Sequence, residues 1–230
     1  MPKTMKTTQT GFSKQTVSKT RLRDQQREDT KGTILEAAIE LFSKCGFDGT
    51  TLPQIAEQSG VRVPLIVYHF KSKELLWKEA VKEIYSRVEN HMASFQERIV
   101  NAKGLDFYRE SSRAHISTLA KYPEYMRIFF QEGTQHSERL EWLVENHQSK
   151  MTAMIVSVIE RAQNEGLISP HADKMHLKFI LSGAFALPIV LAPEFTIVTN
   201  RDSLSEEFIE EHIEMCLNLI LPTFFKNTKK

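Results

Sequence analysis

Between Arg62 and Lys73 the chain reads "RVPLIVYHFKSK", in which cations and polar rings flank a run of aliphatics. Arg62, Tyr68, His69 and Lys73 can donate to phosphates or base edges. Val63, Leu65 and Val67 can meet thymine methyl groups, so together these types suit a helix that enters a DNA major groove. A short helix exposing three aliphatics and a tyrosine to water alone would be poor for solubility. No comparable set supports catalysis. The eight histidines are scattered, with no HExxH and no His/Cys ligand spacing, so neither a metal nor a cofactor is expected. GxSxG and Gly-rich phosphate loops are absent, and the acids around His212 in "EEFIEEHIE" read as a solvated helix face.

Two short helices must hold these residues. Thr51 is followed three positions on by Gln54, with Pro53 between, a capping box that starts a helix at Leu52. Gly60 ends that helix after two turns, supplying the left-handed residue of a tight turn. Pro64 is tolerated only in the first turn of a second helix. Ile66 and Phe70 then face inward, Ala56 permits close approach, and the pair forms a helix-turn-helix over about 51–70. Ser72 caps the following helix. Lys73 stands at its start against the helix dipole, and a phosphate there would reconcile the two.

Upstream, Ile34, Leu35, Ala38, Leu41, Phe42 and Cys45 lie on one helical face that stops at Gly46, which makes Cys45 a small core residue. Residues 1–27 hold seven basic residues and one acid and read as a flexible basic arm beside the DNA-binding unit. Net charge over the chain is only +1, but it is unevenly spread. Residues 1–78 carry thirteen Lys/Arg against eight Asp/Glu, and the remainder seventeen against twenty-one. An anionic partner is therefore expected for the first part alone. Two distant cysteines point to a reducing compartment rather than a disulfide framework. No signal peptide is visible, and the longest apolar stretch, interrupted by Pro188, is too short for a bilayer. After about Ser72 the pattern is helical throughout, with breaks near Gly104, Pro123, Gly133, Gly166–Pro170 and a loop at Ala192–Ser203. The fold class is all-α: an N-terminal unit of about three helices and a larger bundle of about six.

The segment "ILEAAIELFSKCGFDGTTLPQIAEQSGVRVPLIVYHFKSKELLWKEAV" resembles the DNA-binding domain of the tetracycline-repressor (TetR) family of bacterial transcriptional regulators. The "LF…GF..TT", "IA...GV" and "YHF.SKE.L" motifs carry the likeness. It implies a DNA-binding domain over 28–81 and a regulatory domain over 82–230 that dimerises and holds a small-molecule pocket. By that resemblance Thr51 and Lys73 meet phosphates. Arg62, Val63, Pro64, Leu65, Val67, Tyr68 and His69 form the groove-facing surface. Arg62 replaces the capping serine of many members, and Val67 replaces a tyrosine.

The regulatory half is consistent with both implied roles. Phe179, Gly183 and Ala186, with Phe208, Ile209, Ile213, Cys216, Leu217 and Ile220, are candidates for a four-helix homodimer interface. Tyr108, Ser112, His115, Met126, Phe129, Phe130, Met151, Met154, Ile155 and Val158 are candidates for contact with an unidentified small apolar or amphipathic ligand. The same residues read equally as core. The expected function is a homodimeric repressor in a bacterial cytoplasm, released by ligand from a palindromic or pseudopalindromic operator and touching no membrane. The rivals are an inducer-free nucleoid or division-control protein of the same fold and, further off, an all-α enzyme.

Overall fold

Capping and left-handed turns divide the chain much as the sequence implies. The computed structural model describes residues 12–221, with side chains from Gln25 onward. The DNA-binding unit comprises α1 (Phe12–Cys45), α2 (Leu52–Ser59) and α3 (Val63–Phe70). The Thr51 amide donates to Gln54 Oε1 at 2.8 Å and the Gln54 amide to Thr51 Oγ1 at 3.4 Å, completing the capping box. Gly60, at φ 70°, ends α2 and turns the chain. Arg62 begins α3 with no side-chain cap, so the lost serine is not replaced. Ile34, Ala38 and Phe42 of α1, Ile55 of α2, and Ile66 and Phe70 of α3 are buried together. Ile66→Ala would cost about 2–5 kcal/mol and free the angle between α2 and α3.

Ser72 Oγ accepts from the Leu75 amide at 3.1 Å and starts α4 (Lys73–Ala93), which leads out of the DNA-binding unit without a break at position 81. At 21 residues it is a rod of about 31 Å. The regulatory unit adds α5 (Gln96–Asn101), α6 (Leu105–Lys121), α7 (Pro123–Gly133), α8 (Glu138–Leu143), a π-helical segment (Val144–Gln148), α9 (Ser149–Asn164), α10 (Lys174–Val190), α11 (Ala192–Thr199) and α12 (Glu206–Ile220). No strand occurs among the described residues. The π segment joins α8 to α9, and it turns both His147 and Gln148 inward. The Tyr85 hydroxyl donates to Gln148 Oε1 at 3.0 Å, and the His147 ring lies 4.6 Å from the Tyr85 ring. Arginines clamp α6 to its neighbours: Arg109 to Glu214 at 2.6 Å, Arg113 to Glu210, and Arg98 to Glu110 at 2.8 Å.

Several expectations need correction. Residues 12–27 are the first turns of α1, not a flexible arm; no Gly or Pro falls within 12–31, the helix runs on through Gly32, and Lys, Arg and Gln are good helix formers. Residues 1–11 of that arm lie outside the described residues. Cys45 is exposed, because the helix ends there and its last turn leaves the core. The helix that follows Ser72 does not run on to the break near Gly104; it stops at Ala93, and Ser94 and Phe95 turn the chain into α5. Part of the Ala192–Ser203 loop is helical, since Pro193 occupies the first turn of α11, where its missing N–H costs nothing. α5, α8 and α11 are too short to show a period, so the bundle exceeds the six helices expected.

Candidate nucleic-acid interface and regulatory cavity

On α3, inward packing of Ile66 and Phe70 leaves Leu65, Val67 and Tyr68 outside, at 38%, 41% and 57% exposure. Arg62 and Pro64 are also exposed, Val63 and His69 half-buried, and Thr51 exposed beside them. The surroundings are basic. The Arg27 guanidinium, on the first half of α1, stands 5.7 Å from the Tyr68 ring centre, and Lys71 Nζ stands 5.5 Å from it. Lys71, at φ 69°, donates to the Tyr68 carbonyl at 3.0 Å. Burial holds His69 below the ordinary histidine value, and Arg27, Lys31 and Lys71 push the same way. A neutral imidazole among three cations can accept from a base edge or donate to a phosphate.

Lys73 has a different part from the one expected. Its Nζ donates to the Phe47 and Thr50 carbonyls, both at 2.9 Å, and lies 4.2 Å from the Phe47 ring centre. Two of its three donors are thus committed to the turn after α1, which leaves at most one for a phosphate. The same turn carries the junction with the regulatory unit. Arg139 lies 4.0 Å from the Phe47 ring centre, and Gln131 Nε2 donates to the Ser43 carbonyl at 2.9 Å.

In the regulatory unit a cavity of about 280 Å³ opens between α6, α9, α10 and α12. Of the ligand-contact candidates, Tyr108, Ser112, His115, Met154, Ile155 and Val158 line it. Met126, Phe129, Phe130 and Met151 do not line it. Met126, Phe129 and Phe130 pack in or against the core, because α7 packs on α1 and α4; Met151, in the first turn of α9, is buried in the core ahead of the part of that helix that lines the cavity. Met92 of α4 and Gln96 and Ile99 of α5 close one side, and Leu181, Ser182 and Phe185 of α10 another. None of these wall residues is a carboxylate, lysine or arginine. The Tyr108 hydroxyl is occupied, donating to Glu165 at 2.7 Å. His115 lies 5.8 Å from the Phe185 ring, and burial with the nearby Lys178 charge pushes it down to about 4, so it is neutral at pH 7.

Family comparison agrees with both halves of this geometry. Residues 34–80 match the model for "Bacterial regulatory proteins, tetR family", and residues 108–220 match "Tetracyclin repressor-like, C-terminal domain". The chain belongs to the TetR family. It is a DNA-binding transcriptional regulator, not an enzyme. The HTH-type transcriptional regulator RutR of Escherichia coli (strain K12) is 26% identical over 198 residues, covering 83% of this chain and 88% of that protein. IcaR of Staphylococcus aureus (strain Newman), a negative regulator of the biofilm operon icaADBC, is 38% identical over 60 residues, covering 26% of this chain and 32% of IcaR. The hemolysin II transcriptional regulator HlyIIR shares the fold at a TM-score of 0.60 and 21% identity, over 82% of this chain and 97% of that one.

Within this TetR-family chain the α12 residues singled out for dimerisation mostly face inward. Phe208, Ile213, Cys216 and Leu217 are buried in the protomer, Ile209 and Ile220 are half-buried, and Ala186 of α10 is buried with them. Burial pushes the Cys216 thiol up to about 11, so it is a protonated packing group. Of the α10 candidates, Gly183 is half-buried and Phe179 is 62% exposed. The uncovered apolar faces are instead Met175, Phe179, Ile180 and Leu187 on α10 and Met215 and Leu219 on α12. Apolarity alone drew attention to the core stripe. Of the second, opposite stripe on each helix the sequence reading picks out only Phe179; Ile180 and Leu187 on α10 and Met215 and Leu219 on α12 are not singled out. Of the cations around Tyr68, Arg27 is picked out only as the last residue of the basic arm and Lys71 not at all, because neither lies on α3.

No group of three or more His, Cys, Asp or Glu among the described residues is placed to hold a metal ion. No single helix among them is long and apolar enough to cross a membrane.

Proposed function

We propose that the chain acts as a homodimer that represses transcription from a palindromic or pseudopalindromic operator in the bacterial cytoplasm and leaves it when a small ligand enters the cavity. On the DNA side, Val63, Pro64, Leu65 and Val67 meet bases through apolar contact. Arg62, Tyr68, His69 and Thr51 hold phosphates or base edges, assisted by Arg27 and Lys71. Two copies present α3 to successive major-groove faces about 34–36 Å apart or a multiple of that. The exposed stripes of α10 and α12 supply the dimer contact.

The observation that carries the release step is Met92. It lines the cavity, yet it belongs to α4, which begins three residues after α3 ends. His91, its neighbour, is tied to the cavity-lining helix α6 through Thr118 at 2.9 Å. A ligand that displaces Met92 tilts a rod of about 31 Å and changes the separation of the two α3 helices. A cavity of this kind favours the ligand-responsive reading over the inducer-free one. Coupling of about 2–3 kcal/mol would weaken operator binding roughly 30–150-fold, and linkage requires the operator to weaken ligand binding equally. Calorimetric titration of a cavity-binding ligand with and without saturating operator tests this. Equal affinities would reject release through the cavity.

A further inference from the structure

The cavity wall is mostly apolar; Gln96, Ser157 and Ser182 are scattered over it, and its one run of polar residues is on α6, where Ser111, Ser112 and His115 follow one another at helical spacing. His115 is the odd member. It is half-buried, its ring faces the cavity, and neither ring nitrogen has a hydrogen-bond partner among the described residues. A buried imidazole ordinarily has both a donor and an acceptor partner.

Lys178 stands behind it. It is 3% exposed, and it shares a face of α10 with Leu181 and Ser182, which line the cavity one turn on. Its ammonium rests 4.2 Å from the Phe179 ring centre, and it has no ion-pair partner among the described residues. Buried lysines are almost always paired, because an unpaired cation is costly to desolvate. Burial first, and then the Lys178 charge, hold His115 below the ordinary histidine value.

Lys178, one helical turn behind the wall on α10, and an unpartnered imidazole on the wall itself have one complement. We infer that the ligand of this cavity is a small apolar acid, whose carboxylate accepts a hydrogen bond from His115 and offsets the charge of Lys178 while its hydrocarbon body fills the space toward Met92, Ile155 and Phe185. A neutral molecule of the same shape leaves the cation unpaired, and a cationic one adds a second positive charge. This inference rests on the ligand-responsive reading above.

The probes are decanoate, decanol and decyltrimethylammonium, each titrated calorimetrically into the full chain below its micelle concentration. Decanoate should bind roughly ten- to hundredfold more tightly than decanol, the range of a charge-assisted hydrogen bond, and the cation should not bind. Lys178→Met should bring decanoate to the affinity of decanol, and Lys178→Arg should keep the preference. Decanol binding as tightly as decanoate, no binding of decanoate, or a preference that survives Lys178→Met would each overturn the inference. The wild-type titrations decide even if a variant fails to fold. The underlying reading is tested separately, by operator affinity at saturating decanoate. A bound acid that leaves operator affinity unchanged would reject release while leaving the acid pocket in place.

Discussion

Replacing Lys73 by Met keeps the aliphatic stem over Phe47 and removes the ammonium, so it separates holding the fold from holding DNA. The ammonium makes two charge-assisted bonds to backbone carbonyls, each contributing about 1.5–3 kcal/mol when isolated. They share one partly exposed cation, so they do not add fully. The Phe47 carbonyl also keeps the Thr50 amide at 3.3 Å, whereas Thr50, fully buried, loses the partner of its own carbonyl. A loss of about 2–3 kcal/mol follows, lowering the melting midpoint by roughly 4–12 °C for a chain of this size. Thermal melting and the salt dependence of operator binding, the latter measured well below the midpoint, form the paired assay. A lysine that neutralised a phosphate in each protomer would contribute about 1.8 to the log–log salt slope of a dimer. The structure leads us to expect a change of less than one. A variant that melts like its parent while losing nearly two units of slope would refute the holding role and return Lys73 to the phosphates.

Leu65→Ala should cost about 1–3 kcal/mol on the cognate operator and much less on unrelated DNA, as read by competition titration; equal losses would make Leu65 a support for the fold. Removing residues 1–27 should weaken binding and flatten its salt dependence, because this takes away seven basic residues including Arg27; salt-independent retention of affinity would show that the start of α1 stays clear of DNA. Phe179→Asp combined with Leu219→Asp should yield monomers in sedimentation while helix content is kept, and persistence of the dimer would move the interface elsewhere. His115 has a folded value of about 4 against about 6.5 unfolded, so the unfolded chain binds the extra proton between those values. Stability from this group is therefore fully present above about pH 6.5 and lost as pH falls toward 4, on the order of 3 kcal/mol in all. His91, His147 and His212 are shifted the same way by burial, so the difference between the parent and His115→Phe denaturation curves isolates it.

Local chemistry was legible in the sequence wherever it was also local in space. Thr51 with Gln54, Gly60, and Ser72 each specify a backbone event within four residues, and the structure places each where the spacing predicts. The split of α3 into an inward pair and an outward surface also followed from spacing alone. What failed depended on distant partners. Lys73 is spent on carbonyls 23 and 26 residues upstream, which no helical period reveals. Met126 and Phe130 share the composition of a pocket wall, but the direction in which α7 packs decides that they do not line it. On α12 the buried and exposed stripes are both apolar, so periodicity marks two faces without saying which meets the same chain. The polar start of α1 looked disordered because helix without an apolar face leaves no periodic trace.

The five π-helical residues Val144–Gln148 also set a phase. An α-helix advances about 100° per residue, so one residue more or fewer between α8 and α9 rotates everything downstream by that amount. With the wide turn in place, Leu143 packs inside the junction while Met154, Ile155 and Val158 point into the cavity. Deleting Glu145 would leave a well-formed helix of ordinary pitch. It would also turn the cavity-lining face of α9 and bring Ser149 and Thr152 round to the buried positions now held by Gln148 and Met151. The segment is thus a length gauge: related chains that lack the extra residue must either build their cavity from different side chains of this helix or do without its wall.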